Sequence, residues 1–221
     1  FCGGTNFGFT AGANGNGDKP GDYAPTVTSY DYDAPLSEWG DPTPKFFAFQ
    51  EVIRRYRPEA PFGTPEPVRK AAYGKVTLTA SAPLLGELDR LAEKHESVRP
   101  PTMEACGQSF GFIHYRTRLT GPFRDRLYFP EVHDRVTAYV DGVYLGAVGR
   151  NDADRFLPIE VGPDGATLDL LVENLGRINY GPLVGRDPKG LPLGVGICWQ
   201  MLSHFEVWNL ELDNLDQVRY G

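Results

Sequence analysis

The chain has 221 residues and a formal charge of −7 at neutral pH, from 22 basic side chains (Lys and Arg) against 29 acidic ones. This balance excludes nucleic acid as an expected partner, because neutralising phosphates requires a surplus of basic side chains. With 41% hydrophobic and 23% charged residues, the composition is that of a folded globular protein and excludes a disordered one. No stretch approaches the roughly 20 apolar residues that span a bilayer, so no membrane partner is expected either.

The first residues are typical of the inside of a strand. The sequence lacks an initial Met and a signal peptide and opens on Phe1-Cys2-Gly3-Gly4, and we therefore expect it to be a piece of a longer protein. A strand is predicted from Phe1 to Phe9. A long irregular loop rich in Gly and Asn follows and reaches Thr43, and loops of this length usually carry function.

The first helix is predicted over residues 45–56. Thr43 suits the N-cap and Pro44 the first helical position, while Pro58 ends the helix. Apolar side chains recur along it at helical spacing and form one face. They are Phe46, Phe49, Val52, Ile53 and Tyr56.

Residues 57–72 contain four prolines and predict a stiff linker to a second domain. From residue 73 to 221 the pattern changes to short alternating segments, which favour an antiparallel sandwich or jelly roll. Asp141-Gly142 is a strong two-residue hairpin signal, and Leu84–Lys94 is expected to hold one or two helical turns. The predicted strands are Lys75–Thr79, Phe110–Arg118, Val136–Val140, Tyr144–Val148, Thr167–Glu173 and Phe205–Leu212.

No metal site or other cofactor is expected. The three cysteines are far apart and match neither a disulfide framework nor a zinc spacing, so they are predicted to be separate buried thiols. The histidines are never within five residues of each other and are interpreted as structural. They are His95, His114, His133 and His204.

Asp31 and Asp33 are the sharpest candidates for paired-carboxylate chemistry, of the kind that supports glycoside hydrolysis. In an extended segment they would share a face, roughly 7 Å apart, and two carboxyl groups flanking a sugar bond catalyse its hydrolysis. Loop aspartates next to Pro35 more often hold a turn by side-chain hydrogen bonds, which is the alternative. Tyr30 and Tyr32 alternate with these acids and suggest sugar contact, through ring stacking and hydroxyl hydrogen bonds.

Several motifs in one order resemble the lysosomal-type β-galactosidases of glycoside hydrolase family 35, along nearly the whole chain. They are Gly3-Gly4-Thr5-Asn6-Phe7-Gly8, residues 28–38 (TSYDYDAPLSE), Gly40-Asp41, Tyr73-Gly74-Lys75-Val76, Tyr115-Arg116-Thr117, His133-Asp134-Arg135 and residues 170–181 (LLVENLGRINYG).

The resemblance implies an anatomy of three parts. Residues 1–56 would be the C-terminal end of a (β/α)₈ TIM barrel, with residues 1–9 as its eighth strand. Residues 57–72 would be the linker, and residues 73–221 a jelly-roll β-sandwich of the galactose-binding-like type. The missing N-terminal portion of the barrel would then be a partner of this chain.

The resemblance also implies the chemistry. Members of the family hydrolyse terminal β-galactosides with retention, using two glutamates that would both lie upstream of Phe1. No catalytic residue is therefore assigned, and the chain alone is expected to be inactive. Tyr32 would contact galactose with Tyr30 close by, and Tyr180 would reach the same pocket.

Asp31 and Arg177 are interpreted as supporting groups, with a loop salt bridge or turn hydrogen bonds as the alternative for each. Trp39 stands where the family commonly has a small residue, which puts the galactoside preference in doubt. A noncatalytic galactose-binding or structural β-sandwich module is the alternative function. A homo-oligomer is left open, as is the cellular compartment.

Overall fold

The computed structural model describes residues 4–6, 8–17, 19, 21–26, 28–29 and 32–221. The chain forms two compact units, the first built from Phe1–Ala11 and Thr26–Leu78 and the second from Gly12–Pro25 and Thr79–Gly221. Residues 12–25, the inserted segment, thus belong to the second unit although the residues on both sides of them belong to the first. The boundaries at residues 56 and 72 stay a prediction.

Most of the regular structure is β-sheet, as the abundance of turn residues led us to expect. In the described part of the chain the strands are β1 (Gly12–Gly15), β2 (Tyr23–Pro25), β3 (Lys94–Ser97), β4 (Phe112–Leu119), β5 (Phe123–Tyr128), β6 (Arg135–Val140), β7 (Val143–Gly149), β8 (Phe156–Val161), β9 (Ala166–Glu173), β10 (Arg177–Tyr180), β11 (Gly196–Ile197), β12 (Gln200–Met201) and β13 (Phe205–Leu210).

Helix α1 (Pro44–Tyr56) confirms the helix predicted over residues 45–56, with Pro44 in its first turn. Thr43 precedes it in an extended conformation, but its hydroxyl donates to the Pro35 carbonyl, at 2.8 Å, and its oxygen accepts no N–H of the helix. No residue of α1 is buried, and apolar side chains such as Ile53 are about half exposed. Its apolar face is therefore uncovered by the described residues.

Helix α2 (Leu84–Leu91) confirms the helical turns predicted within Leu84–Lys94. Its Leu88 and Leu91 are buried against Trp208 and Leu210 of β13, and the Trp208 indole donates to Asp89, at 2.8 Å. The helix thus packs against β13 of the second unit. Two 3₁₀ turns, Glu104–Cys106 and Leu215–Gln217, complete the helical structure of the described residues.

The second unit is built around two antiparallel sheets that share one hydrophobic core. One sheet has the order β3-β13-β4-β9-β6-β7 and the other β12-β11-β5-β8. Alternate side chains of both sheets point into this core, which explains the alternating pattern of the sequence. The fully buried members include Ile113, Tyr115, Leu127, Val136, Leu168, Leu170, Val172 and Val207.

A third, small sheet joins the inserted segment to the rest of the second unit. Its order is β10-β1-β2, with β1 parallel to β10 and antiparallel to β2. The two parallel strands approach closely at Gly181, whose φ is +107° and where an added Cβ would lie 2.1 Å from the Gly15 carbonyl oxygen. Only glycine fits there.

Five of the six predicted β-domain strands are confirmed as β4, β6, β7, β9 and β13, within two residues at each end. The hairpin is also confirmed, since Asp141 and Gly142 connect β6 to β7 with φ of 47° and 78°. The strand predicted over Lys75–Thr79 is wrong. Residues 71–83 form no strand, and Val76 and Leu78 are exposed, because their alternating pattern meets no partner strand in the described structure.

The predicted strand from Phe1 to Phe9 lies partly outside the described residues. Of the described ones, Thr5 forms an isolated bridge to Ser29, whereas Gly8 and Phe9 lie in a turn. The prediction of buried thiols is wrong for Cys198, which is exposed at the turn between β11 and β12, and Cys106 is only partly buried. Among the described residues no helix is long and apolar enough to cross a membrane.

Candidate functional site

Tyr32, the first predicted sugar contact, lies in a turn of the first unit. Tyr32 and Asp33 have φ of 52° and 55°, so this part of the loop is not the extended segment that the carboxylate-pair argument assumed. The Tyr32 side chain is largely exposed. Lys45 of α1 pairs with the Asp33 carboxylate and donates to its backbone carbonyl, at 2.6 Å, so the Asp33 side chain forms a salt bridge with the helix that follows the loop. Tyr30 and Asp31 lie outside the described residues.

Glu38 holds the segment before α1 in place. Its two carboxylate oxygens accept the hydroxyls of Thr5 and Ser29, and the Asn6 N–H donates to the Thr28 carbonyl, at 2.8 Å. The hydrogen bonds from Ser29 and Thr5 lower the pKa of Glu38. Glu38 was only part of a matching motif in the sequence, which gave no sign of this anchoring role.

Trp39, the departure from the family pattern, lies at the surface of the first unit and is 56% exposed. Its indole N–H donates to Asp41 Oδ2, at 3.0 Å, and the Lys70 ammonium lies 5.9 Å from the ring centroid. Lys70 also pairs with Asp41 and is the main cause of that carboxyl's lowered pKa. The indole is therefore held in one orientation by two polar neighbours.

Tyr180 and Arg177 stand at opposite ends of β10 in the second unit. Tyr180 is 68% exposed, and its backbone is aligned with Asn14 of β1. Arg177 pairs with Glu104 of the first 3₁₀ turn and donates to the Ser109 and Gln108 carbonyls in the loop that follows this turn. Arg177 thus makes the structural contacts that were the alternative to a supporting role at the sugar.

Arg177 and Glu104 also line a cavity of about 380 Å³. Burial raises the pKa of Glu104, but the hydrogen bond and charge of Arg177 outweigh it, so the net pKa is lowered. The same carboxylate accepts the Lys189 backbone N–H, at 3.0 Å. Glu104 therefore connects β10 to the chain around Lys189.

Asp134, Arg150, Asp187 and Lys189 form a buried ion cluster in the second unit, here called the Asp134 cluster. Lys189 Nζ donates to both Asp134 oxygens, at 2.9 and 2.8 Å, and lies 2.9 Å from Asp187 Oδ2. Arg150 lies 3.0 Å from Asp134 Oδ1 and 2.6 Å from Asp187 Oδ1. Two positive charges balance two negative ones, and removing one partner of such a buried pair typically costs about 3–5 kcal/mol.

Tyr23 of β2 attaches the inserted segment to this cluster. Its hydroxyl oxygen lies 2.9 Å from Asp134 Oδ2 and 2.7 Å from the Gly176 carbonyl oxygen. Burial raises the pKa of Tyr23 well above its usual value, and the charge of Asp134 adds to the effect. The phenol therefore stays protonated and acts as a hydrogen-bond donor at every physiological pH.

The sequence analysis missed the Asp134 cluster. Asp134 belonged to a matching motif, but Tyr23 lies 111 positions from Asp134 along the chain and Lys189 lies 55 positions from it, and neither is in a recognisable pattern. Among the described residues, no group of three or more His, Cys, Asp or Glu side chains is arranged to hold a metal ion.

Comparison with known families gives two matches. Residues 100–211 match the family model described as "Beta-galactosidase, first all-beta domain", which covers half of the chain. Residues 1–56 match the model "Glycosyl hydrolases family 35".

Individual proteins match almost the whole chain. It is 39% identical to the beta-galactosidase of Xanthomonas manihotis over 219 residues, which cover 99% of this chain and 36% of that protein. It is 40% identical to the beta-galactosidase of Homo sapiens, over 99% of this chain and 32% of that protein. It is also 40% identical to the Beta-galactosidase-1-like protein of Mus musculus, over 97% and 33% respectively. The chain thus spans about a third of the length of the curated relatives it matches.

Proposed function

We propose that this chain, which belongs to the beta-galactosidases of glycosyl hydrolase family 35, is part of a retaining exo-β-galactosidase. The full-length protein would remove terminal β-D-galactosyl residues in carbohydrate metabolism. Both catalytic glutamates would lie upstream of Phe1, and hydrolysis would pass through a covalent galactosyl-enzyme intermediate. The observation that carries the proposal is the match of nearly the whole chain to beta-galactosidases of several organisms.

The proposed anatomy follows the same family. Residues 1–56 would end a TIM barrel, and the two sheets of the second unit would form a jelly-roll, galactose-binding-like sandwich. The uncovered apolar face of α1 supports the first part, because Phe49, Val52 and Ile53 are each about half exposed. A barrel helix buries such a face against the barrel strands, and the missing N-terminal portion would supply them.

Tyr32 and Tyr180 are the proposed sugar contacts, with Tyr30 beside the first of them. Both described tyrosines are exposed at the surface of their own unit, so each can offer a ring face and a hydroxyl to a neutral sugar. Asp31 and Arg177 would support them without touching the reacting atoms.

The hydroxyls of these tyrosines provide the test in the full-length protein. Tyr32→Phe and Tyr180→Phe should each lower kcat/KM for p-nitrophenyl β-galactoside by about fivefold to tenfold, the effect of losing one hydrogen bond to substrate. Tyr73→Phe is the matched control, since Tyr73 is as exposed as Tyr32. An equal loss in all three variants would contradict the assignment, and a wild-type protein without turnover would contradict the function.

The second candidate function is a noncatalytic galactose-binding or structural module. The observation that favours it is that the second unit encloses its own core and presents Tyr180 at its surface. Titration of galactose into the 221-residue chain distinguishes this module from the enzyme fragment proposed above. Saturable binding, together with a full-length protein that does not hydrolyse galactosides, would support the module.

A further inference from the structure

We propose that the Asp134 cluster is a clamp that holds the inserted segment (residues 12–25) and thereby positions Tyr180 for the sugar. Tyr23 is the positioning residue that connects the segment to the cluster. The role at the sugar rests on the proposed function, whereas the mechanical part of the inference does not.

The first step is the attachment of Tyr23. Its side chain is buried, and both the Arg150 guanidinium and the Lys189 ammonium lie over its ring, 4.3 and 4.7 Å from the ring centroid. Its single hydroxyl proton is shared between Asp134 and the Gly176 carbonyl. Both the face and the tip of this side chain are therefore held by groups outside the inserted segment.

Asn151 holds the backbone of the same segment. Its side-chain amide donates to the Tyr23 carbonyl, at 3.0 Å, and its side-chain oxygen accepts the Gly21 N–H, also at 3.0 Å. The segment is thus bound at Gly21 and at Tyr23 by one side chain that follows β7. These contacts explain why residues 12–25 group with the second unit.

The second step connects the clamp to β10. Asp134 Oδ2, which receives the Tyr23 hydroxyl, also accepts the Leu175 N–H, at 3.0 Å. One carboxylate oxygen therefore contacts both β2 and the residues just before β10. Strand β1 of the same inserted segment runs parallel to β10 and pairs Asn14 with Tyr180. Displacing the inserted segment would remove the strand beside which Tyr180 is aligned.

The third step concerns why charged side chains, and not apolar ones, hold the inserted segment. A buried set of ion pairs contributes little net stability compared with apolar residues of the same shape. It does, however, fix one geometry, because any shift of the carboxylates leaves charges uncompensated. All four members of the Asp134 cluster are paired, which suits a device for positioning.

Tyr23→Phe in the full-length protein is the principal test. It removes the hydroxyl and keeps the buried ring in contact with Arg150 and Lys189, so the fold is expected to persist. Amide hydrogen exchange, read by mass spectrometry, should accelerate at least about fivefold in residues 12–25 and 177–181 and stay unchanged in β4 and β9. KM for the galactoside should rise about threefold to tenfold with kcat nearly unchanged.

Two further variants separate positioning from general destabilisation. Asn151→Ala should accelerate exchange in the same two segments. Tyr220→Phe, which loses a hydroxyl hydrogen bond to the Leu215 carbonyl elsewhere in the unit, should accelerate neither. In a Tyr180→Ala background, Tyr23→Phe should change KM less than twofold, because the two residues act in one chain of contacts.

Unchanged exchange at residues 12–25 and 177–181 in the Tyr23→Phe variant would overturn the clamp, whatever the activity. A full rise in KM in the Tyr180→Ala background would overturn the positioning of Tyr180. If the wild-type protein hydrolyses no galactoside, the proposed function fails. The exchange measurement then still decides whether the clamp exists.

Discussion

Asp187 lies beside both positive charges of the Asp134 cluster and is ionised because of them. Burial raises the pKa of its carboxyl, but the hydrogen bond from Arg150 and the charge of Lys189 outweigh burial, so the net pKa is lowered. A carboxyl with a lowered folded-state pKa stabilises the fold fully above its unfolded pKa of about 3.9. That stabilisation is lost as the pH falls through the lower folded-state pKa.

The Asp187→Asn variant tests this contribution to stability. At pH 6 its free energy of unfolding in urea should be about 3 kcal/mol below the wild type. The difference should shrink as the pH falls below about 4, because Asp187 of the unfolded wild-type chain then takes up a proton while folded Asp187 is still ionised. Asp164→Asn, at an exposed turn, is the control and should stay close to the wild type. A difference for Asp187→Asn that stays constant from pH 6 to pH 3 would contradict the lowered pKa.

Individual site residues were predictable only where a motif contains them. Tyr32 and Tyr180 lie in sequences that resemble a known family, and the role of each at a sugar stays a proposal. Tyr23, Asn151 and Lys189 act through contacts between distant parts of the chain, and no local pattern marks them. Their importance follows from burial and distance, which the sequence does not contain.

At the scale of elements, the close approach of β1 to β10 depends on Gly181. Gly181→Ala should lower the free energy of unfolding by about 3 kcal/mol, because a Cβ would lie 2.1 Å from the Gly15 oxygen and the backbone φ is positive. Gly185→Ala is the matched control, since Gly185 also has a positive φ but has no atom within 4 Å of an added Cβ.

The control should lose only about 1 kcal/mol, the usual effect of a side chain at a positive φ. Thermal unfolding of both variants measures the difference. Equal shifts in Tm would mean that the β1–β10 contact does not matter for stability.

Strands with one buried face could be predicted, and less regular ones could not. β4 and β9 alternate because their buried side chains face one core. β5 and β8 were missed, since Arg and Asp interrupt the apolar pattern of β5 and Pro158 lies within β8. For Lys75–Thr79 the error is the reverse, since a strand was predicted where none forms. An alternating segment becomes a strand only when a neighbouring strand is present to pair with it.

At the scale of the whole molecule, the sequence indicated two differently built parts. It did not indicate that residues 12–25 belong to the second unit although the first unit continues after them. A Gly- and Asn-rich loop was expected to be irregular. Instead, Gly12 and Gly15 belong to a strand that lies against β10, where a Cβ at either position would be within 3 Å of a neighbouring side chain. The sequence pattern indicated loop glycines. The structure shows instead that glycine is required at these positions because the strands pack closely.

The central claim is that the protein containing this chain is a retaining β-galactosidase. Proton NMR of the sugar released from p-nitrophenyl β-galactoside by the full-length protein tests it most directly, with the α-galactoside and the 221-residue chain alone as controls. We expect β-galactose as the first product, appearing before mutarotation, and no release in either control. First release of α-galactose, or no release by the full-length protein, would contradict the account.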